Sequence, residues 1–165
     1  MRLTLLSLMI CFRWSITIAQ VIPFSWAKVC VSTGFMDGKV AIDSQGNVIS
    51  AGSFDGTVDF DPGPGISNQT STIGGALYLL KLDSGGNFLW VKTMSGDSFC
   101  NTSAISLDAT DNIYLAGNYY GTLDFDPGSA VFNLTAVAYA DAFVLKLDAD
   151  GNFAWVKSLD RKSVV

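Results

Sequence analysis

The sequence predicts an all-β fold in which two tandem copies of one four-stranded antiparallel unit follow an extra strand. The first observation is an internal repeat: residues 43–92 and 108–157 match at an offset of 65 without insertion or deletion, and 23 of these 50 positions are identical. The second is that all 15 acidic residues are Asp, which favours turns, whereas Glu, a helix former, is absent. Repeats of this kind bury their apolar faces against each other. We therefore look for the function of this chain first in what an array of such units does, and only then in individual residues.

A short turn motif recurs twice within each copy. It occurs as Asp43-Ser44-Gln45-Gly46-Asn47, Asp83-Ser84-Gly85-Gly86-Asn87, Asp108-Ala109-Thr110-Asp111-Asn112 and Asp148-Ala149-Asp150-Gly151-Asn152. The opening carboxylate can accept hydrogen bonds from amides two residues on, and the fourth residue can take the left-handed conformation that closes a hairpin. Partly alternating apolar runs flank every turn, which predicts two hairpins and therefore four strands per unit.

The segment between the two hairpins is less regular. Asp55-Gly56 is consistent either with a tight turn or with a bend inside a long second strand. Asp61-Pro62-Gly63 ends that strand, because Pro cannot donate to a ladder and Gly supplies a positive φ. Residues 66–75 are expected to form a polar surface loop.

Four antiparallel strands in about 65 residues are typical of a β-propeller blade with loop insertions. Residues 24–28 resemble the outermost strand around Trp90, and Trp26 precedes its turn by 17 residues where Trp90 precedes its own by 18. We therefore expect a lone outer strand and linker at residues 20–36, blades at 37–101 and 102–158, and a divergent tail at 159–165. Two blades plus one strand make an incomplete propeller.

The N-terminus has the features of a secretory signal peptide. Arg2 is followed by the apolar run 3–12, and Thr17-Ile18-Ala19 places small residues at the −3 and −1 positions before Gln20. The alternative, a membrane anchor, is weaker because Arg13 cuts the run well below the ~20 residues that a spanning helix needs. We expect residues 1–19 to be removed, no membrane span in the mature chain, and a secreted or cell-surface location.

Charge and composition exclude several functions. Without Arg2 and Arg13, 8 basic residues face 15 acidic ones, a net charge of −7. The lack of a basic cluster argues against nucleic acid or an anionic membrane as the partner. The sequence has no His, so the common triads and histidine-bearing zinc sites are ruled out. We predict that the chain is not an enzyme.

Two strings identify a family resemblance. Gly56-Thr57-Val58-Asp59-Phe60-Asp61-Pro62-Gly63 recurs at residues 121–128, and residues 143–157 follow the pattern FVLKLDxxGNFxWVK. Together they resemble the SBBP-type β-propeller repeats of secreted bacterial proteins, over residues 24 to about 158. The resemblance implies a propeller on an exported or surface protein, usually of unassigned activity. We expect its partners to be further blades of the same protein and an unidentified protein or carbohydrate ligand. The chain departs from the family in copy number, because a ring needs ~4–8 blades, so we interpret it as a fragment of a longer array.

Two carboxylate pairs are the candidate metal ligands. Asp59 and Asp61, and likewise Asp124 and Asp126, are two residues apart on an extended strand and so share one face. Oxygen ligands of this kind suit calcium. A structural role in starting turns is favoured, because a Ca²⁺ site needs ~6–8 oxygens and each string offers two side chains. No other cofactor is predicted.

The remaining chemically interesting side chains are thiols and aromatic rings. Cys30 and Cys100 do not occupy matching repeat positions, which favours two independent buried thiols over a disulfide. Trp90 and Trp155 recur in one frame and are expected to be equivalent buried core residues, as are Phe60 and Phe125. The aromatic residues that break the repeat are the better candidates for contact with a partner. They are Tyr119, Tyr120 and Tyr139.

These observations favour a non-catalytic, exported propeller segment that serves as a scaffold or binding module on a bacterial surface. Two alternatives stay open. One is part of a propeller hydrolase or lyase whose active site needs further blades, and the other is a structural assembly formed by pairing of exposed strand edges.

Overall fold

The computed structural model describes residues 26–71, 74–137 and 139–159, and within these ranges the regular structure is entirely β. The strands are β1 (Val31–Ser32), β2 (Lys39–Ile42), β3 (Val48–Phe54), β4 (Thr57–Asp59), β5 (Asn68–Thr70), β6 (Ala76–Leu82), β7 (Phe88–Ser95), β8 (Cys100–Leu107), β9 (Ile113–Tyr119), β10 (Thr122–Asp124), β11 (Asn133–Thr135), β12 (Asp141–Leu147) and β13 (Phe153–Leu159). No helix in these ranges is long and apolar enough to cross a membrane. The predicted signal peptide lies outside the described residues.

The two repeats form two four-stranded antiparallel sheets, as predicted. Sheet 1 has the order β2-β3-β6-β7 and sheet 2 the order β8-β9-β12-β13. The register repeats as closely as the sequence does: Val48 faces Leu82 in sheet 1, and Ile113 faces Leu147 in sheet 2. Even the irregularity in the outer hairpin recurs, between Lys81 and Leu82 and again one repeat later. Each sheet has the form of a propeller blade.

The segment between the hairpins is a second, smaller hairpin, which corrects the prediction of a plain loop at residues 66–75. β5 lies within that range and pairs with β4, and β11 pairs with β10 in the second unit. Threonine hydroxyls join the two small strands, 2.9 Å apart at Thr57 and Thr70. The chain bends at Gly56, where φ is 76°, so β3 and β4 are separate strands. The small strands are three residues long and mostly polar, so the alternation of apolar and polar residues that indicates longer strands does not reveal them.

The outer strand predicted near Trp26 is not a strand in the described residues 26–30. Within a complete unit, β7 is held by β6 over seven paired positions. The two third strands of the described ranges, β6 and β12, each already have a neighbour on both sides, so neither is free to pair with residues 26–30. Among the residues from 26 onward that the structure describes, the first paired segment is β1, which runs antiparallel to β4. The boundaries of the lone segment and of the blades remain predictions.

A single extra residue explains the difference in length between the two linkers. In sheet 1, Met36 forms a bridge with Phe54 before β2 begins at Lys39. In sheet 2, the matching stretch is one continuous strand, β8, whose register shifts between Thr102 and Ala104. Ser103 is therefore accommodated as a β-bulge. The second unit tolerates the inserted residue because the parts of β8 before and after the bulge both stay paired with β9.

The main core lies between the two sheets. It contains Ile49, Leu77 and Leu79 of sheet 1 together with Phe143 and Leu145 of sheet 2. A second cluster on the other face of sheet 1 includes Phe54, Phe60 and Tyr78, against which Trp26, Cys30 and Met36 pack. All seven residues of β6 are consequently buried, whereas β12 alternates between buried and partly exposed.

The aromatic repeat positions behave in two different ways. Phe60 and Phe125 are both fully buried, as predicted. Trp90 is half-buried, but Trp155 is 37% exposed, so the expectation of equivalent buried sites is wrong for the tryptophans. The reason is positional: Trp90 contacts the second unit, and no unit in the described residues follows Trp155.

Candidate functional site

The four turn motifs use their aspartates structurally. Asp43 Oδ1 accepts hydrogen bonds from the amides of Gln45 and Asn47, at 3.0 and 2.8 Å, and its Oδ2 accepts one from Asn47 Nδ2 at 2.9 Å. The same three contacts recur at the openings of the other turns. These carboxylates therefore hold hairpins together and have little capacity left for a ligand.

Those hydrogen bonds lower the pKa of every opening aspartate. Burial alone would raise the pKa of Asp43, but the bonds from Asn47, Lys81 and Gln45 hold it at about 2. The pKa of Asp108 is lowered chiefly by the side chain of Asn112. Asp83 and Asp148 also have lowered pKa values. All four are ionised at neutral pH, so both oxygens of each carboxylate act only as hydrogen-bond acceptors.

A buried ion pair links the first turn to the second unit. Lys81 Nζ lies 3.0 Å from Asp43 Oδ2, with both side chains nearly inaccessible to solvent. Lys81 also donates to the carbonyl oxygen of Ala149 at 3.3 Å. The equivalent pair in the second unit, Lys146 and Asp108, is 3.7 Å apart and more exposed.

The candidate calcium ligands accept hydrogen bonds from loop amides. Asp59 Oδ1 accepts from the amides of Asp61 and Ser67, at 3.1 and 2.8 Å, and Asp61 Oδ1 accepts from Gly63 at 2.7 Å. Asp124 and Asp126 repeat this arrangement in the second unit. Within the described ranges, no three His, Cys, Asp or Glu side chains lie close enough together to hold a metal ion. The geometry explains both pairs as loop-closing acceptors, and calcium binding stays an untested hypothesis.

The two described cysteines are free thiols in separate places. Burial, with the charge of Asp37 adding to it, raises the pKa of Cys100 to about 12. Burial also raises the pKa of Cys30, where Asp59 contributes. A protonated thiol is a poor nucleophile, so neither cysteine is prepared for covalent chemistry at neutral pH.

A cleft of about 360 Å³ lies where the two units meet, at the end of the sheets away from the Asp turns. Phe35 and Phe99, at matching repeat positions, line it and are 61% and 47% exposed. Its polar lining includes Ser53 and Asp55. We name it the aromatic cleft.

Further aromatic rings extend from the aromatic cleft. Phe99 contacts Tyr120 edge to face at 5.7 Å between ring centroids, and Tyr120 contacts Tyr139 at 5.1 Å. Tyr139 is 80% exposed. Of the three tyrosines proposed to contact a partner, these two therefore lie together. Tyr119 does not join them: it is buried, and its hydroxyl shares a hydrogen bond with Ser158 at 2.8 Å.

Asp141 is a buried acid that sequence reasoning missed. It is 1% exposed, and Oδ2 accepts a hydrogen bond from the amide of Val137 at 3.0 Å. Its other oxygen has no hydrogen-bond partner within the described part of the chain. The signal was present in the repeat, because the matching position of the first unit is Ala76. A carboxylate at a position where the other repeat has a small apolar residue indicates that the surroundings of this position differ between the two units.

Comparisons with known proteins support a repeat architecture. No family model matches the chain. The chain is similar to an uncharacterized WD repeat-containing protein of Acanthamoeba polyphaga mimivirus, with 28% identity over 109 aligned residues. The match covers 57% of this chain but only 8% of that much longer protein. Together with the two four-stranded antiparallel sheets, this similarity indicates that the chain is a β-propeller repeat module.

Proposed function

We propose that this chain is a non-catalytic segment of an exported β-propeller that binds a protein or carbohydrate ligand at the aromatic cleft. The observation that carries the proposal is the exposed aromatic surface formed by Phe35, Phe99, Tyr120 and Tyr139 at the boundary between the units. Aromatic rings offer large contact area at little conformational cost, and Tyr adds a polar group.

A non-catalytic role is supported by how the acids are used. The turn aspartates and the paired aspartates such as Asp59 and Asp124 accept hydrogen bonds from backbone amides and stay in register between the units. A catalytic site would need acids or bases with perturbed pKa values that converge on a cavity. The buried thiol of Cys100, at the cleft, is protonated at neutral pH.

The ligand proposal is tested with glycan and peptide arrays. We expect Phe99→Ala and Tyr139→Ala each to weaken binding of any captured ligand at least tenfold. Leu89→Ala is the matched control, because Leu89 has the same 47% exposure as Phe99 but lies at the opposite end of sheet 1, beside the turn at Asp83. Equal affinity of the Phe99 and Leu89 variants would show that the ligand binds elsewhere.

Export is part of the same proposal and is supported by the N-terminal pattern of Arg2 followed by an apolar run. Membership of the SBBP-type repeats would place the protein on a bacterial surface. Expression of the full chain in a bacterium, followed by N-terminal sequencing of the exported product, tests it. We expect a mature N-terminus at Gln20, and retention of the uncleaved chain inside the cell would contradict export.

A further inference from the structure

The outer face of sheet 2 is the equivalent of the face of sheet 1 that is buried between the units. Apolar positions that match at the offset of 65 differ in how far they are covered. Leu79 is fully buried whereas its counterpart Val144 is partly exposed, and Met94 is 1% exposed whereas Leu159 is 58% exposed. We call this outer face, formed by Tyr114, Val144, Lys146, Trp155, Lys157 and Leu159, the open face.

The contacts that cover sheet 1 centre on the outer turn of the second unit. Trp90 packs on Gly151, the fourth residue of that turn: a Cβ there would lie 2.9 Å from the indole ring. Lys81 reaches the carbonyl oxygen of Ala149, the second residue of the same turn. Lys92 lies beside the turn, where its Cγ would be 3.4 Å from a Cβ on Gly151, and its charge adds to the hydrogen bonds from Asn152 that lower the pKa of the opening residue, Asp148.

The same contact occurs once more, at the N-terminal side of sheet 1. Trp26 packs on Gly86, where a Cβ would meet the indole at 2.8 Å, and its Nε1 donates to the carbonyl oxygen of Ser84 at 3.0 Å. Hydrogen bonds from Asn87 lower the pKa of Asp83, and the charge of Lys28 adds to this effect as Lys92 does at Asp148. At both boundaries, a Trp and the Lys two residues after it thus meet a turn of the form Asp-x-x-Gly, although Trp90 lies on a strand and Trp26 does not.

We propose that the open face binds a further repeat unit, with Trp155 seated on the fourth-position glycine of that unit's outer turn. Lys146 would reach the carbonyl oxygen at its second position, and Lys157 would lie near its opening Asp. The inference rests on the proposed propeller and specifies how its next blade is recognised. Charge agrees with it, because the open face presents two lysines to a turn that begins with a carboxylate.

A further unit is the occupant that fits, rather than a second copy of this chain. The outer turn of the first unit already holds Trp26 on Gly86. Trp155 of another copy would have to displace that indole before it could reach the glycine. A unit placed in sequence after residue 158 meets no such competition. The similar viral protein is long enough to contain many such units, since the match spans 8% of it.

The test is a three-unit chain in which residues 94–158 are repeated in place of 159–165, which preserves the offset of 65. In the natural chain we expect Trp90→Ala to lower the melting temperature by roughly 6–20 °C and Trp155→Ala, whose ring is already 37% exposed, by about 6 °C or less. In the three-unit chain, Trp155→Ala should cost as much as Trp90→Ala. Trp90→Ala is the matched control, because its contact is present in both chains.

Three results would overturn the proposal. Trp155→Ala could have the same small effect in both chains, which would mean that the added unit does not dock. It could be as costly as Trp90→Ala in the natural chain at every concentration, which would mean that another segment of this chain covers the open face. A concentration-dependent cost in the natural chain, with dimers in sedimentation, would mean that a second copy covers it. None of these results depends on ligand binding at the aromatic cleft, so the two proposals fail separately.

Discussion

Ser44 and Asp111, 67 positions apart, connect the first turn of one unit to the first turn of the next. The hydroxyl of Ser44 donates to Asp111 Oδ2 at 2.6 Å, and its amide donates to Oδ1 at 2.9 Å. Asp111 is the one non-glycine residue in the described ranges with a positive φ, 61°. The other three turns have Gly at this position. Asp111 thus adopts the left-handed conformation, which is unfavourable for a residue with a side chain, at the position where its carboxylate joins the two units.

This connection predicts a measurable coupling. Ser44→Ala and Asp111→Asn should each lower the free energy of unfolding by about 0.5–1.5 kcal/mol, because each removes part of a charge-assisted pair at an exposed site. Asn is chosen because it tolerates the left-handed conformation. Urea titrations of both single variants and the double variant complete the cycle. Additive losses would show that the two residues act independently, and Gln45→Ala serves as a nearby control.

Acid should destabilise the protein between pH ~4 and ~2. The pKa of Asp43 is about 2 in the folded chain, against about 3.9 for an unfolded Asp. A lowered folded pKa contributes stability that is present above the unfolded value and is lost as pH falls through the folded value. The lowered pKa values of Asp83, Asp108 and Asp148 act in the same direction. Thermal melts from pH 6 to pH 2 measure the loss.

Asp43→Asn provides the control for the acid prediction. It removes a titrating group and also breaks the pair with Lys81, so the variant should be less stable at pH 6 and should depend less on pH below 4. Stability that stays constant down to pH 2 in the natural chain would contradict the structural role of these carboxylates.

Two glycines with similar backbones should respond differently to alanine. Gly46 has φ 82°, and a Cβ there meets only Ser84 Cβ at 3.7 Å, an ordinary contact. Gly151 has φ 76°, but a Cβ there would press on Trp90 at 2.9 Å. Gly46→Ala should cost about 1–2 kcal/mol for the conformation alone, and Gly151→Ala about 1–3 kcal/mol more for the clash. Equal losses in denaturant titrations would show that Trp90 moves aside freely.

The repeated phenylalanines should be essential to the core. Phe125 is fully buried, and its ring contacts Tyr119 and Phe143 at 5.3 and 5.0 Å. Phe125→Ala should therefore lower the free energy of unfolding by about 3–5 kcal/mol. Phe132→Ala, at a ring that is 42% exposed, should cost less than about 1.5 kcal/mol in the same urea titration. A small effect at Phe125 would mean that the site collapses around the missing ring.

The sequence by itself determined the features that depend on neighbouring residues. Each turn is recognisable because an opening Asp such as Asp43 satisfies amides within four positions, and because its fourth residue must adopt a positive φ. The pairing within each of the four hairpins that an Asp turn closes follows from these turns, since a tight turn leaves its flanking strands no choice of partner. The repeat then made the burial of Phe60 and Phe125 predictable, because both lie in the same string.

Only the tertiary structure decided the features that depend on what lies across a unit boundary. Trp26, Trp90 and Trp155 have similar flanking sequences, with Phe two residues before and Lys two residues after. A turn glycine nevertheless covers the first two and not the third. The contact between Ser44 and Asp111 and the grouping of Phe99 with Tyr139 likewise join residues that no local pattern relates. The physical reason is that burial and ion pairing depend on the neighbouring sheet, whose position the period of a strand does not encode.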